Sequence, residues 1–278
     1  MGAPVRRIVS AELNVTAAIG TTQIALQVAL ARVPGLVVEE SLEILQDGRA
    51  LEPEEIATGR GERMHVLTLE RTASEAGNVS VTYRGSAQTQ AGADGERTSP
   101  ADLMAYRRPS RYAQSDELFV TARRELGGRH GLELVHAVGD WVAARVRYVP
   151  GSSRVTDGAV ATLLQGQGVC RDYAHLVVAL LRALDVPARL AAVYAPGLRP
   201  MDFHAVAEAW VQGAWYTVDA TRMAPRASLV RIATGRDAAD TAFLSAYGAG
   251  IRMGHQAVTA VVEGDLPTED PTAAVQMP

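Results

Sequence analysis

The chain contains a single cysteine, and what precedes and follows it suggests chemistry. Cys170 stands in GQGVCRDYAHLVVALLRAL, behind glycines at 166 and 168 and on the first turn of an apolar helix. Unpaired peptide N–H groups and the positive dipole end at a helix start favour a thiolate over a thiol. A thiolate becomes an acyl-transfer nucleophile when a base and an orienting acid accompany it. His204 and Asp219 are the candidates for those roles. They fall on two strand-like runs joined near Gln212-Gly213, and a turn at Val211 and Gln212 would set them directly opposite on one face, with β-carbons about 4.5–5.5 Å apart. A pairing shifted by two residues leaves them on that face as diagonal neighbours. The competing reading of Cys170 is a small buried hydrophobe without chemistry.

Positioning such a trio needs a buried helix and an antiparallel sheet. Ala174, Leu176, Val177, Val178, Leu180, Leu181 and Leu184 leave the cysteine helix almost no polar face, which predicts a central element. Asp185-Val186-Pro187 ends it, because proline disfavours helical geometry in the residue before it. Strands are expected at Arg189 to Tyr194, His204 to Val211, Trp215 to Thr221, Leu229 to Ala233 and Gln256 to Val262. Before the cysteine, helices are expected at Asp116 to Leu126 with Ser115 as N-cap, at about Leu132 to Val146, and at Asp157 to Leu164.

The first part of the chain reads differently. Alternation in Ile24, Leu26, Val28 and Leu30, in Leu67 and Leu69, and in Val79, Val81 and Tyr83 is the period of half-buried strands. Asp47-Gly48 is a hairpin-turn signal. Short strands with turn signals predict a β-sandwich of roughly eighty residues. Gly85 to Pro100 is small and polar, a loop or linker. The expected organisation is a β-rich domain at 1–100, a catalytic domain at 101–264, and an acidic, Pro-rich tail at 265–278 that frays.

Composition excludes several classes of function. The 278 residues carry 27 Lys and Arg against 31 Asp and Glu, a net charge of −4 with no long basic run, so a nucleic-acid surface is not expected. One cysteine permits no internal disulfide. No stretch reaches the ~18 apolar residues of a membrane span, and the start has no signal-peptide core, so the expectation is a soluble, cytoplasmic protein. Cys170, His175 and His204 have no paired metal-ligand spacing, and no metal or organic cofactor is implied.

The stretches GVCRDYAHL, LLRALDVPARLAAVYAPG, DFHAVAEAWVQGAWYTVDAT and TGRDAADTAF resemble, in order, the bacterial transglutaminase-like proteins of the papain-like cysteine peptidase superfamily. The resemblance runs from about Tyr106 to Phe243, and the β-rich start looks like that family's N-terminal region. It implies an α+β fold in which the cysteine helix packs on an antiparallel sheet. It carries the roles of nucleophile onto Cys170, general base and acid onto His204, and orienting acid onto Asp219. Val206 and Ala220 depart from the family's usual aromatic and proline, and a lost aromatic beside the histidine would alter pocket shape.

Other polar residues receive plainer readings. Asp172 is expected to complement the helix dipole, His175 to be a hydrogen-bonded, partly buried side chain, Glu208 to be structural, His136 to be exposed, and His65 to be solvated or satisfied in a strand. Gln165 or Gln167 could donate to an oxyanion, as could the Cys170 N–H. Arg236 and Asp237 stand in a distinctive motif for which the sequence offers no physical account. The functional expectation is a thiol-dependent acyl-transfer enzyme acting on a peptide or protein substrate, most simply a hydrolase of peptide, isopeptide or amide bonds. The alternatives are amine transfer, as in a protein-glutamine transglutaminase, and a non-catalytic binding or scaffolding protein.

Overall fold

The structure, a computed structural model, describes residues 5–90 and 96–277. The middle of the expected Gly85–Pro100 loop, residues 91–95, lies outside the described residues. Strands fill the first part: β1 (Arg6–Ala17), β2 (Gly20–Leu26), β3 (Leu36–Gln46), β4 (Arg49–Ala50), β5 (Glu54–Ala57), β6 (Arg63–Arg71) and β7 (Asn78–Thr89). Five helices and eight strands follow: α1 (Pro100–Ala105), α2 (Phe119–Leu126), α3 (Gly131–Arg145), β8 (Arg147–Tyr148), α4 (Ala159–Gln165), β9 (Gln167–Gly168), α5 (Cys170–Ala183), β10 (Ala188–Tyr194), β11 (His204–Val211), β12 (Ala214–Val218), β13 (Val230–Gly235), β14 (Leu244–Gly248) and β15 (Ile251–Val262). The result is an α+β fold built mainly of antiparallel sheets. Among the described residues no helix is long and apolar enough to cross a membrane.

The β-rich part forms two antiparallel sheets, ordered β15-β1-β7-β3-β4 and β14-β2-β6-β5. Alternation does the work expected of it: Val9, Ala11, Leu13 and Val15 of β1 meet Ile24, Leu26, Leu67 and Leu69 of the other sheet in one core. Asp47 and Gly48 both take positive φ, +47° and +85°, as a tight hairpin turn requires. The expected boundary at residue 100 does not describe the hydrogen bonding. Strands β14 and β15, placed by the sequence with the catalytic part, pair with β2 and β1, so each of these sheets gains an edge strand from the end of the chain.

The second part is a four-stranded antiparallel sheet, β12-β11-β10-β13, with helices on one face. Every residue of α5 from Asp172 to Ala183 is buried, and Leu176, Val177, Leu180 and Leu181 pack against Leu134, Val138, Ala207 and Ala209. Truncating a leucine there, as in Leu180→Ala, should cost about 2–5 kcal/mol. On the same sheet Tyr194, Val230, Ile232 and Ala233 join the core of the β-rich part. The Tyr194 hydroxyl donates to the Val28 carbonyl at 2.7 Å and its ring stacks on Tyr83.

Local corrections have local causes. α2 starts at Phe119 behind Leu118, and Ser115 is buried without capping it. Residues 86–89, read as loop, extend β7 because β1 and β3 pair with both of its edges. Ser99 and Asp102 form a capping box that starts the unforeseen helix α1, with Pro100 in its first turn. The tail does not fray as expected. The Arg226 guanidinium donates to Glu269 at 2.7 Å, the Thr217 N–H donates to the Val275 carbonyl at 2.8 Å, and Met277 is buried beside Leu198 and Leu229.

Candidate active site

Two glycines deliver Cys170 to the start of α5. Gly166 ends α4 in the left-handed region at φ +62°, and a Cβ on Gly168 would lie 2.7 Å from that of Asp172. The close approach exists because the Asp172 carboxylate folds back to accept from the Val169 N–H at 2.8 Å and from the Ser153 hydroxyl at 2.9 Å. Asp172 therefore caps the helix start at the negative-preferring end, in keeping with the dipole reading. Cys170 itself is part-exposed and borders a cavity.

The hairpin that carries the other two residues turns at Gln212-Gly213, both at positive φ, and pairs Val211 with Ala214 and Ala207 with Val218. That is two residues away from the direct pairing considered first. A tight turn centred on Val211 and Gln212 would force a β-branched residue to positive φ, which glycine tolerates and valine does not. Extending the observed register sets Val206 opposite Asp219, so His204 and Asp219 are diagonal neighbours on one face. His204 Nε2 and Asp219 Oδ2 are 2.8 Å apart and both side chains are buried. The other Asp219 oxygen accepts from the Thr221 N–H at 2.9 Å and hydroxyl at 2.6 Å.

These contacts set the charges. Burial alone would discharge His204, but the Asp219 carboxylate and the neighbouring Cys170 outweigh it, and the imidazole is pushed up to about 10. Burial likewise opposes ionisation of Asp219, and its imidazole and threonine donors hold it below the usual carboxylate range. With Nε2 committed to Asp219, Nδ1 is the ring nitrogen left for the thiol. The Tyr148 phenol, which the sequence reading missed, lies against Cys170. It is pushed up to about 12 by burial first and by Cys170 and Asp202 next, so it keeps its proton at neutral pH. Its only signal in the sequence is its place in the extended stretch before the cysteine, where β8 pairs in parallel with β9.

The cavity beside Cys170 holds about 620 Å³ and has His204, Leu190, Ala192, Ile232, Phe203 and Phe243 in its walls. Its far wall is the loop that the sequence left unexplained. Asp237 accepts from the Tyr112 N–H at 2.9 Å and the Ala239 N–H at 3.0 Å, while Arg236 pairs with Asp240 at 2.9 Å. Arg182 of α5 donates to the Arg236 carbonyl at 2.7 Å. His175, fully buried rather than partly so, accepts the Ala238 N–H at 3.1 Å and stacks on Tyr112. Burial pushes its imidazole down to about 3, which keeps it neutral and able to accept. The motif thus fastens a cavity wall to the helix that carries the cysteine.

The remaining candidates separate cleanly. Gln165 and Gln167 are not among the residues lining the cavity. Glu208 is structural: it accepts from Arg189 and Arg231, each at 2.7 Å. His136 is half-buried beside Asp219 in a small depression rather than exposed. His65 is buried, with Glu55 at 3.3 Å. Val206 is buried with Ala191, Val193 and Leu198 and is not among the cavity-lining residues.

A family model of the transglutaminase-like superfamily matches residues 120–220, the span from α2 to just past Asp219. A crystal structure of a candidate cysteine protease from Cytophaga hutchinsonii superposes with a TM-score of 0.85 at 30% identity, covering 98% of this chain and 96% of that one. An uncharacterised protein of Mycobacterium leprae is 30% identical over 124 residues, 42% of this chain, and the match spans only 44% of that relative's length. The chain belongs to the transglutaminase-like superfamily, a family of thiol-dependent enzymes.

Proposed function

We propose that the protein is a cysteine-dependent acyl-transfer enzyme that cleaves peptide, isopeptide or other amide bonds. The observation that carries this reading is the buried His204–Asp219 pair at 2.8 Å, with the imidazole's remaining nitrogen turned to the one thiol at the mouth of the cavity. Cys170 Sγ attacks the carbonyl carbon and the π electrons move to oxygen. The Cys170 N–H, at the positive end of α5, stabilises that oxyanion. His204 then protonates the departing amine as the carbonyl reforms, which leaves a thioester on Cys170. Water, deprotonated by the now neutral His204, adds to the thioester and expels the thiolate. Asp219 holds the imidazole's orientation and stabilises its charged form throughout.

An amine in place of water would give transglutamination from the same thioester. Hydrolysis is the reading adopted, because a cysteine, histidine and aspartate alone do not select for crosslinking. The two β-rich sheets are read as a sandwich-like module that borders the cleft. The test is single-turnover reaction with a peptide amide library, quenched into hydroxylamine. The expected result is a hydroxamate that forms with the wild type and not with Cys170→Ala; full activity in Cys170→Ala would refute the proposal.

A further inference from the structure

The walls of the cavity describe its occupant. Apart from the thiol and the imidazole, the larger side chains of the wall include the apolar Leu190, Ile232, Phe203, Phe243 and Leu244, with alanines at 192, 238, 239 and 242 that leave the space open. Several of the polar side chains in the wall are already engaged, with one another or with backbone carbonyls and residues behind the wall. Gln256 donates to Asp202 at 2.6 Å, and the Gln27 amide, oriented to satisfy both its ends, donates to the carbonyls of Asp240 and Ala242, each at 3.2 Å. Arg171 turns to Ser153 and the Arg154 carbonyl, both at 2.8 Å. Thr241 is bonded to the Asp237 carbonyl at 3.4 Å. An apolar ligand group entering this space therefore meets the larger share of its wall, Leu190, Ile232, Phe203, Phe243, Leu244 and the alanines.

A neighbouring cavity adjoins it. This second cavity of about 280 Å³ lies on the other side of Gln27, Ala239, Ala242 and Ser245, which line both, and has Arg60, Glu62 and Asp240 in its own wall. Several of these walls come from the β-rich sheets and their edge strands: Leu244 and Ser245 from β14, Gln256 from β15, and Gln27 directly after β2. The β-rich part is thereby a portion of the binding surface.

Building on the proposed thiol chemistry, we infer that the cavity selects an extended polypeptide that places a large apolar side chain, leucine- or phenylalanine-sized, beside the scissile carbonyl, with the chain running on toward Arg60 and Asp240. The bulky side chain fills the space left by the alanines. The backbone follows the shared wall at Ala239 and Ala242. A single amino-acid amide reaches only the first cavity.

The experiment compares three thiol-directed probes on the full chain: the fluoromethyl ketones of acetyl-Phe-Gly, acetyl-Gly-Phe and acetyl-Gly-Gly. The thiolate forms a carbon–sulfur bond as fluoride leaves, and mass spectrometry follows Cys170. Iodoacetamide at pH 6.5 reports the reactivity of Cys170 independently of recognition. One phenylalanine probe should label about 10–100-fold faster than the glycine probe, the gain expected for burying such a side chain. Ala239→Phe, which fills the shared wall from an exposed position, should remove most of that ratio, and Leu244→Asn should reduce it. Equal labelling by all three probes, with iodoacetamide still reacting, would overturn the apolar site and leave the thiol chemistry standing. A Cys170 inert to every reagent would overturn both.

Discussion

Strand β11 contributes to two buried polar clusters with opposite designs, through Glu208 to one and through His204 to the other. At one, Glu208 and Glu96 face Arg189 and Arg231, with contacts of 2.6–2.9 Å. Both Glu208 oxygens and both Glu96 oxygens have a guanidinium partner, and Trp215 covers Arg189 at 4.1 Å. Burial works against Glu208's charge, and the two guanidiniums overcome it, holding the carboxyl below its ordinary value. At the other, Asp219 is as fully satisfied as Glu208, yet its partner His204 keeps one nitrogen that points toward a part-exposed thiol and a cavity. The first cluster has both carboxylates closed by guanidiniums and serves the fold, pinning the segment at Glu96 to the sheet. The second is closed at its aspartate end and open at its thiol end. Burial and charge are therefore poor guides to chemistry on their own; the distinguishing feature is a polar valence directed at a space a ligand can enter.

Substitutions should separate the two clusters by what they damage. The largest effect is expected for Cys170→Ala, which should lower amide cleavage by at least about 10⁴-fold, with a thermal unfolding curve close to that of the wild type. Asp219→Asn should follow, lowering kcat by about 10³–10⁴-fold by misorienting the imidazole; a loss below tenfold would place Asp219 among structural residues like Glu208. Arg189→Met should do the reverse. It leaves Glu208 and Glu96 to share Arg231 alone, with one buried carboxylate charge uncompensated, and should cost about 3–5 kcal/mol of stability, measurable by urea unfolding, while the molecules that remain folded alkylate at Cys170 as the wild type does.

A smaller effect tests the charge of His204. Its folded-state value of about 10 lies above the ordinary imidazole value of ~6.5. The corresponding stability is fully present below ~6.5 and is lost as pH rises through the folded value. The wild type should thus lose at least about 2–4 °C more than His204→Gln in melting temperature between pH 7 and pH 10, the size of roughly 1 kcal/mol in a chain this long. Parallel curves would show that the imidazole is not held charged.

Much of this division was legible beforehand. Cys170, His204 and Asp219 are marked by a helix start and a hairpin, both local signals, and the apolar run from Ala174 to Leu184 announces a central helix. Register was less legible, because two turns fit the same period-two pattern and only backbone geometry at Gln212-Gly213 separates them. Long-range partners were not legible at all. Nothing local tells that Asp237 holds Tyr112, that Ala238 binds His175, or that β15 pairs with β1 across most of the chain. For the same reason the sequence could name a nucleophile without describing the cavity beside it, whose walls come from stretches as far apart as Gln27, Tyr112 and Gln256.

The central claim is that His204 activates Cys170, and the most direct measurement is the rate of iodoacetamide alkylation of Cys170 against pH in the native protein and in His204→Ala. The account predicts rapid alkylation that persists below pH 7 in the wild type and is lost in the variant. Slow alkylation with the same pH dependence in both proteins would contradict it, and Cys170 would then be a structural thiol.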